Sequence, residues 1–103
     1  HVYPNASLWE NPWSWNRLAN VIFLESPICV GFSYSDDGSC VANDNTTADD
    51  TYHAILAFYQ KFPAFVGRDF FVTGESYGGV YVPSLVYRIL VGNANQEGTH
   101  IPL

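Results

Sequence analysis

Two short, uninterrupted apolar runs bracket one amphipathic stretch, and this order constrains the fold of the 103-residue chain more than any other feature. The first run, residues 19–25, stops at Ser26-Pro27; the second, residues 69–73, stops at Gly74. Continuous rather than alternating hydrophobicity marks strands buried on both faces, as in a parallel sheet. Between the runs a helix is predicted from about residue 48 to residue 62. Thr47 is its N-cap, Asp49 and Asp50 lie in its first turn, and Pro63 stops it. Tyr52, Ile55, Leu56 and Tyr59 recur at helical spacing and make its apolar face. A last helical pattern covers about residues 79–90, with Pro83 near its start and Gly92 at its end. Strand, helix, strand, turn, helix is a right-handed β-α-β unit feeding a further helix, so the expected fold class is α/β. Two buried parallel strands need helices on both faces and neighbours at their edges. Residues 1–103 therefore read as one partial domain, a slice of a longer one.

Between the second run and the last helix stands Gly74-Glu75-Ser76-Tyr77-Gly78-Gly79. A Gly-x-Ser-x-Gly pattern at a strand-to-helix corner is a nucleophile elbow. The serine is held in a strained backbone conformation, and Gly74 and Gly78 are small so that strand and helix can pass closely. The hydroxyl of Ser76 then projects clear of the backbone, and the N–H of Tyr77 is the first donor for a developing oxyanion. A serine needs a base and an acid to orient that base. After Ser76 the chain offers only Glu97 and His100, three residues apart in a polar loop; His53 lies on the first helix and His1 is terminal. The charge relay is thus expected to lie outside these residues.

A net charge of −6 and only four scattered cations (Arg17, Lys61, Arg68, Arg88) argue against a nucleic-acid partner. No apolar run is long enough to span a bilayer, and the first residues lack the pattern of a signal peptide. Asn5-Ala6-Ser7 and Asn45-Thr46-Thr47 both satisfy the glycosylation pattern in polar surroundings, which points to the secretory route. Cys29 and Cys40 permit one internal disulfide, two bridges to other segments, or free thiols; their spacing is no metal motif. No metal and no cofactor is expected. Residues 1–16 read as loop, with Trp9, Trp13 and Trp15 as packing residues.

Asn11-Pro12-Trp13-Ser14-Trp15-Asn16, then residues 19–27, Gly31-Phe32-Ser33-Tyr34-Ser35 and the Gly74–Gly79 block with Tyr81-Val82-Pro83 together resemble the serine carboxypeptidases of the α/β-hydrolase fold. The resemblance covers roughly residues 11–90 and identifies the chain as the region around the nucleophile elbow. It implies Ser76 as nucleophile, the Tyr77 N–H as oxyanion donor, and Glu75 as part of a carboxyl pair that grips a substrate's C-terminal carboxylate. Two carboxyls in contact cannot both ionise easily, so one would keep its proton in acid. The function implied is release of C-terminal residues from peptides through an acyl-enzyme on Ser76. The alternatives are an acyltransferase of the same kind, or a non-catalytic binding or protective homologue. The implied partners are a peptide with a free C-terminus and the remainder of the catalytic domain, with room for a homodimer in the complete protein. The implied location is lysosomal, vacuolar or secreted. One departure falls inside the match, where Ile28-Cys29 replaces a small residue followed by Gly.

Overall fold

A computed structural model describes residues 3–103; His1 lies outside the described residues. Its regular structure is helical. The helix α1 spans Asp44–Lys61 and α2 spans Gly78–Asn95, with single 3-10 turns at Trp15–Arg17 and Pro63–Phe65.

The first helix begins four residues earlier than its apolar periodicity suggests. The Asn43 side chain accepts from the backbone N–H groups of Asn45 and Thr46, each at 3.0 Å, and the Thr46 hydroxyl accepts from the Asn43 N–H at 2.9 Å. This reciprocal capping box satisfies the free amides of the first turn. Thr47, the expected cap, instead lies inside the helix with 5% of its surface exposed. The turn at Pro63 ends α1 as expected.

The second helix runs through Gly92 to Asn95 and closes where Gln96 turns left-handed at φ 57°. Gln96 and Glu97 donate to the carbonyls of Asn93 and Gly92, the paired bonds of a Schellman motif. Gly92 therefore does not stop the helix. A side chain there would run into the Tyr52 ring, so the glycine sets how closely the two helices approach.

The core is the seam between the helices. Tyr52, Ile55 and Tyr59 from α1 meet Leu85 and Ile89 from α2, and Ile101 from the C-terminal tail closes the end. Ile89 and Ile101 expose nothing. The tail is pinned by Asn93, whose side chain donates to the Ile101 carbonyl at 2.8 Å and accepts from its N–H at 3.0 Å. Arg88 stacks on the Tyr52 ring, its guanidinium carbon 4.1 Å from the centroid. The same guanidinium binds Asp49 of α1 at 2.6 Å and Glu97 of the tail at 2.7 Å. One cation thus clamps three segments.

The expected sheet is absent. Among the described residues no β-strand forms, and the runs 19–25 and 69–73 carry no ladder between them. Phe70 makes one backbone bond, to the Pro102 carbonyl at 2.7 Å. The α/β class, the parallel β-α-β unit and the partial α/β-hydrolase fold are all corrected by this finding. The physical reason lies in the different reach of the two structures: a helix satisfies its own amides, whereas a strand needs a neighbour in register. Without one the apolar runs stay open, and Phe23 and Phe71 are 88% and 81% exposed. The accessible surface of 7979 Å² exceeds the roughly 5,800 Å² of a compact chain of this mass.

Cys29 and Cys40 form a disulfide, with Cα atoms 5.6 Å apart, which settles the three options the sequence leaves open. Cys29 itself sits at φ 66°, a left-handed angle that favours glycine. The departure at Ile28-Cys29 thus keeps the backbone turn, with the bridge to Cys40 holding the loop. Glu25 fastens the same loop: its carboxylate accepts from the Phe32 N–H at 2.5 Å and its carbonyl from the Ser33 hydroxyl at 2.6 Å. The Ser26-Pro27 peptide is cis.

Candidate functional site

Ser76 occupies the turn that leads into α2, at φ 55°. A β-region residue would carry the chain straight on; the left-handed angle folds it back into the helix at a cost of about 1–2 kcal/mol. The turn is tied by Gly78 N–H to the Glu75 carbonyl at 2.8 Å and Gly79 N–H to the Ser76 carbonyl at 3.0 Å. Of the two flanking glycines only Gly74 is sterically required. A Cβ there would stand 2.9 Å from the Val82 side chain and 3.1 Å from the Gly78 Cα, whereas one on Gly78 would meet nothing. The strained serine was legible from the pattern; the unequal roles of the two glycines were not.

The side chains around the turn are separate rather than assembled. Ser76 and Glu75 are exposed, and neither side chain is hydrogen-bonded or ion-paired among the described residues. No second carboxyl meets Glu75. His53 faces away along α1, its Nδ1 2.9 Å from the Asp49 carbonyl and 3.5 Å from the Asp49 carboxylate. Glu97 is engaged by Arg88 and by Asn95 at 3.0 Å, and the Asn95 bond first, then Arg88, holds its carboxyl below the usual range. His100 is exposed on the tail. Among the described residues no histidine therefore reaches Ser76. Among the described residues no cluster of metal-ligating side chains forms.

Tyr77 carries a contact that sequence reasoning missed. Its hydroxyl donates to the Asp44 carboxylate at 3.3 Å, which joins the start of α2 to the start of α1, and its ring meets Tyr81 edge-on at 4.9 Å. The negative charge of Asp44 raises the Tyr77 phenol above its ordinary value. No periodicity links residues 44 and 77, so only the packing of the two helices reveals the pair.

Below the turn lies an open apolar cleft of about 780 Å³. Its walls are α1 (Thr47, Ile55, Tyr59), α2 (Tyr81, Leu85) and the two extended runs, with Glu75, Ser76 and Tyr77 among its polar lining. The arrangement can hold an apolar segment against the helices and offer polar groups to its end. Among the described residues it holds no base in contact with Ser76. The elbow reading needs a strand before the turn, and none is present; residues 69–73 form no strand, and their one backbone bond runs from Phe70 to the Pro102 carbonyl. Identification of the chain as the nucleophile-elbow region, and with it the acyl-enzyme carboxypeptidase reading, is corrected on that ground.

Comparison with known proteins places the chain in a family even so. The sequence model described as serine carboxypeptidase matches residues 1–103. Serine carboxypeptidase-like 48 of Arabidopsis thaliana is 43% identical over 103 residues, which covers 99% of this chain and 20% of that protein. Serine carboxypeptidase ctsa-4.1 of Caenorhabditis elegans is 48% identical over 86% of the chain and 19% of its own length. The lysosomal protective protein of Mus musculus is 46% identical over 78% of the chain and 17% of its own length. The chain spans about a fifth of the length of these relatives, and among the described residues no helix is long and apolar enough to cross a membrane. On the match along its full length, this chain belongs to the serine carboxypeptidase family, a family of enzymes.

Proposed function

We propose that this chain acts as a binding, non-catalytic member of its family, of the protective kind, in a lysosomal, vacuolar or secretory compartment. The observation that carries the reading is the pairing of a wide apolar cleft with a serine that, among the described residues, no base touches. The ligand that fits is a polypeptide end: apolar side chains in the cleft, and a free C-terminal carboxylate at the Tyr77 N–H and the start of α2. Helix N-termini favour anions, and the Ser76 hydroxyl adds a donor beside them. Glu75 stands at the same rim. The mouse relative, named a lysosomal protective protein, supports the choice of compartment and of a protective role.

The test is fluorophosphonate labelling of the protein from its natural source at mildly acidic pH, with the modified peptides mapped. The expected result is no adduct on Ser76, together with calorimetric binding of an apolar peptide that is lost when its C-terminus is amidated. An adduct on Ser76 would overturn the non-catalytic reading.

A further inference from the structure

The two glycosylation patterns have identical sequence logic and opposite structures, and we infer that Asn5 carries an N-linked glycan while Asn45 stays bare. The inference is independent of the function proposed above. In the first pattern the chain makes a tight exposed turn, closed by Ala6 N–H to the Tyr3 carbonyl and Tyr3 N–H to the Ser7 carbonyl, both at 2.9 Å, with Ala6 at φ 62°. The Asn5 side-chain oxygen accepts from the Ser7 hydroxyl at 2.7 Å and from the Ser7 N–H at 3.1 Å. Both acceptances fall on the amide oxygen, so the amide nitrogen points free into solvent while hydroxyl and asparagine are already in register.

The second pattern is consumed by α1. Asn45 is the second residue of the helix, and its N–H is held by the Asn43 side chain. Residues two apart on a helix lie on nearly opposite faces, so the Thr47 hydroxyl cannot reach the Asn45 amide. Thr47 is also turned inward, 5% exposed and part of the cleft wall. A transferase that reads the hydroxyl and the amide together finds both on Asn5-Ala6-Ser7 and only one on Asn45-Thr46-Thr47.

The chemistry is complete with a lipid-linked oligosaccharide pyrophosphate as donor. The Asn5 side-chain nitrogen forms a bond to the sugar's anomeric carbon, the bond from that carbon to the pyrophosphate oxygen breaks, and its electron pair leaves with the pyrophosphate. The nitrogen gives up one proton to the transferase. Neither residue is oxidised or reduced.

The experiment is secretion of the protein from a eukaryotic host, glycosidase release in heavy-oxygen water, and peptide mapping of the asparagines that gain the label. The expected result is label at Asn5 and none at Asn45. Ser7→Ala should abolish the label at Asn5, and Ser7→Thr should keep it; Ser7 is exposed, so neither change endangers the fold. An unlabelled Asn5, or Asn45 labelled to the same extent, would overturn the inference.

Discussion

The helical pair and the stretch from residue 3 to residue 43 are built from equally apolar sequence, yet they end in different states. Residues 44–61 and 78–95 bury a seam of Tyr52, Ile55, Leu85 and Ile89. The first stretch leaves Trp13, Leu18, Phe23 and Phe32 almost wholly in solvent, with a 3-10 turn, a disulfide loop and the Glu25 contacts as its order. The difference lies in where each segment finds its hydrogen-bond partners. A capped helix carries them within itself and needs only one apolar face to be covered. An extended run finds them on a neighbour, and hydrophobicity alone does not supply one.

That contrast can be broken at the seam with the largest effect. Ile89→Ala should cost about 2–5 kcal/mol, because Ile89 is fully buried in the seam and its loss leaves a cavity. Gly92→Ala should cost about 1–3 kcal/mol by forcing the helices apart against Tyr52. Both are read as loss of thermal melting temperature by circular dichroism, and a neutral result for either would place the stability elsewhere. Next in size is the cap: Asn43→Ala should cost about 1 kcal/mol and fray the first turn of α1, visible as faster amide exchange at residues 44–47.

Acid should weaken the same pair by a smaller amount. Glu97 is held below its ordinary value by Asn95 and then Arg88, so its contribution is present above the unfolded value and is lost as pH falls through the folded one. Melting temperature is expected to decline modestly from about pH 5 downward, and Glu97→Gln should remove that slope. The smallest effect belongs to the other region. Cys29→Ser with Cys40→Ser should leave the helical melting transition in place while making residues 29–40 easier to cut by protease, since that loop shares no core with the helices.

What the sequence made legible follows the same division. The periodicity of Tyr52, Ile55 and Tyr59 gave the buried face of α1 correctly, because helix geometry is local. Thr47 is also a good cap by type and draws the expected start of that helix too late; the Asn43-x-x-Thr46 spacing is the signal that decides it. Gly92 was read as a terminator when its role is contact, since nothing in the local sequence says that Tyr52 will lie against it. The runs 19–25 and 69–73 were read as strands on hydrophobicity, which reports a wish to be buried and not a partner to be buried against. At the candidate site the strained Ser76 turn was visible in Gly-x-Ser-x-Gly, whereas the Tyr77 to Asp44 contact depends on tertiary packing alone.

Hydrogen exchange of the 103-residue chain, resolved by peptide, tests the central claim most directly. Slow exchange is expected only in the interiors of Asp44–Lys61 and Gly78–Asn95, with residues 19–25 and 69–73 exchanging near the rate of free chain. Slow amides across both of those runs would reveal a ladder between strands and contradict the helical account.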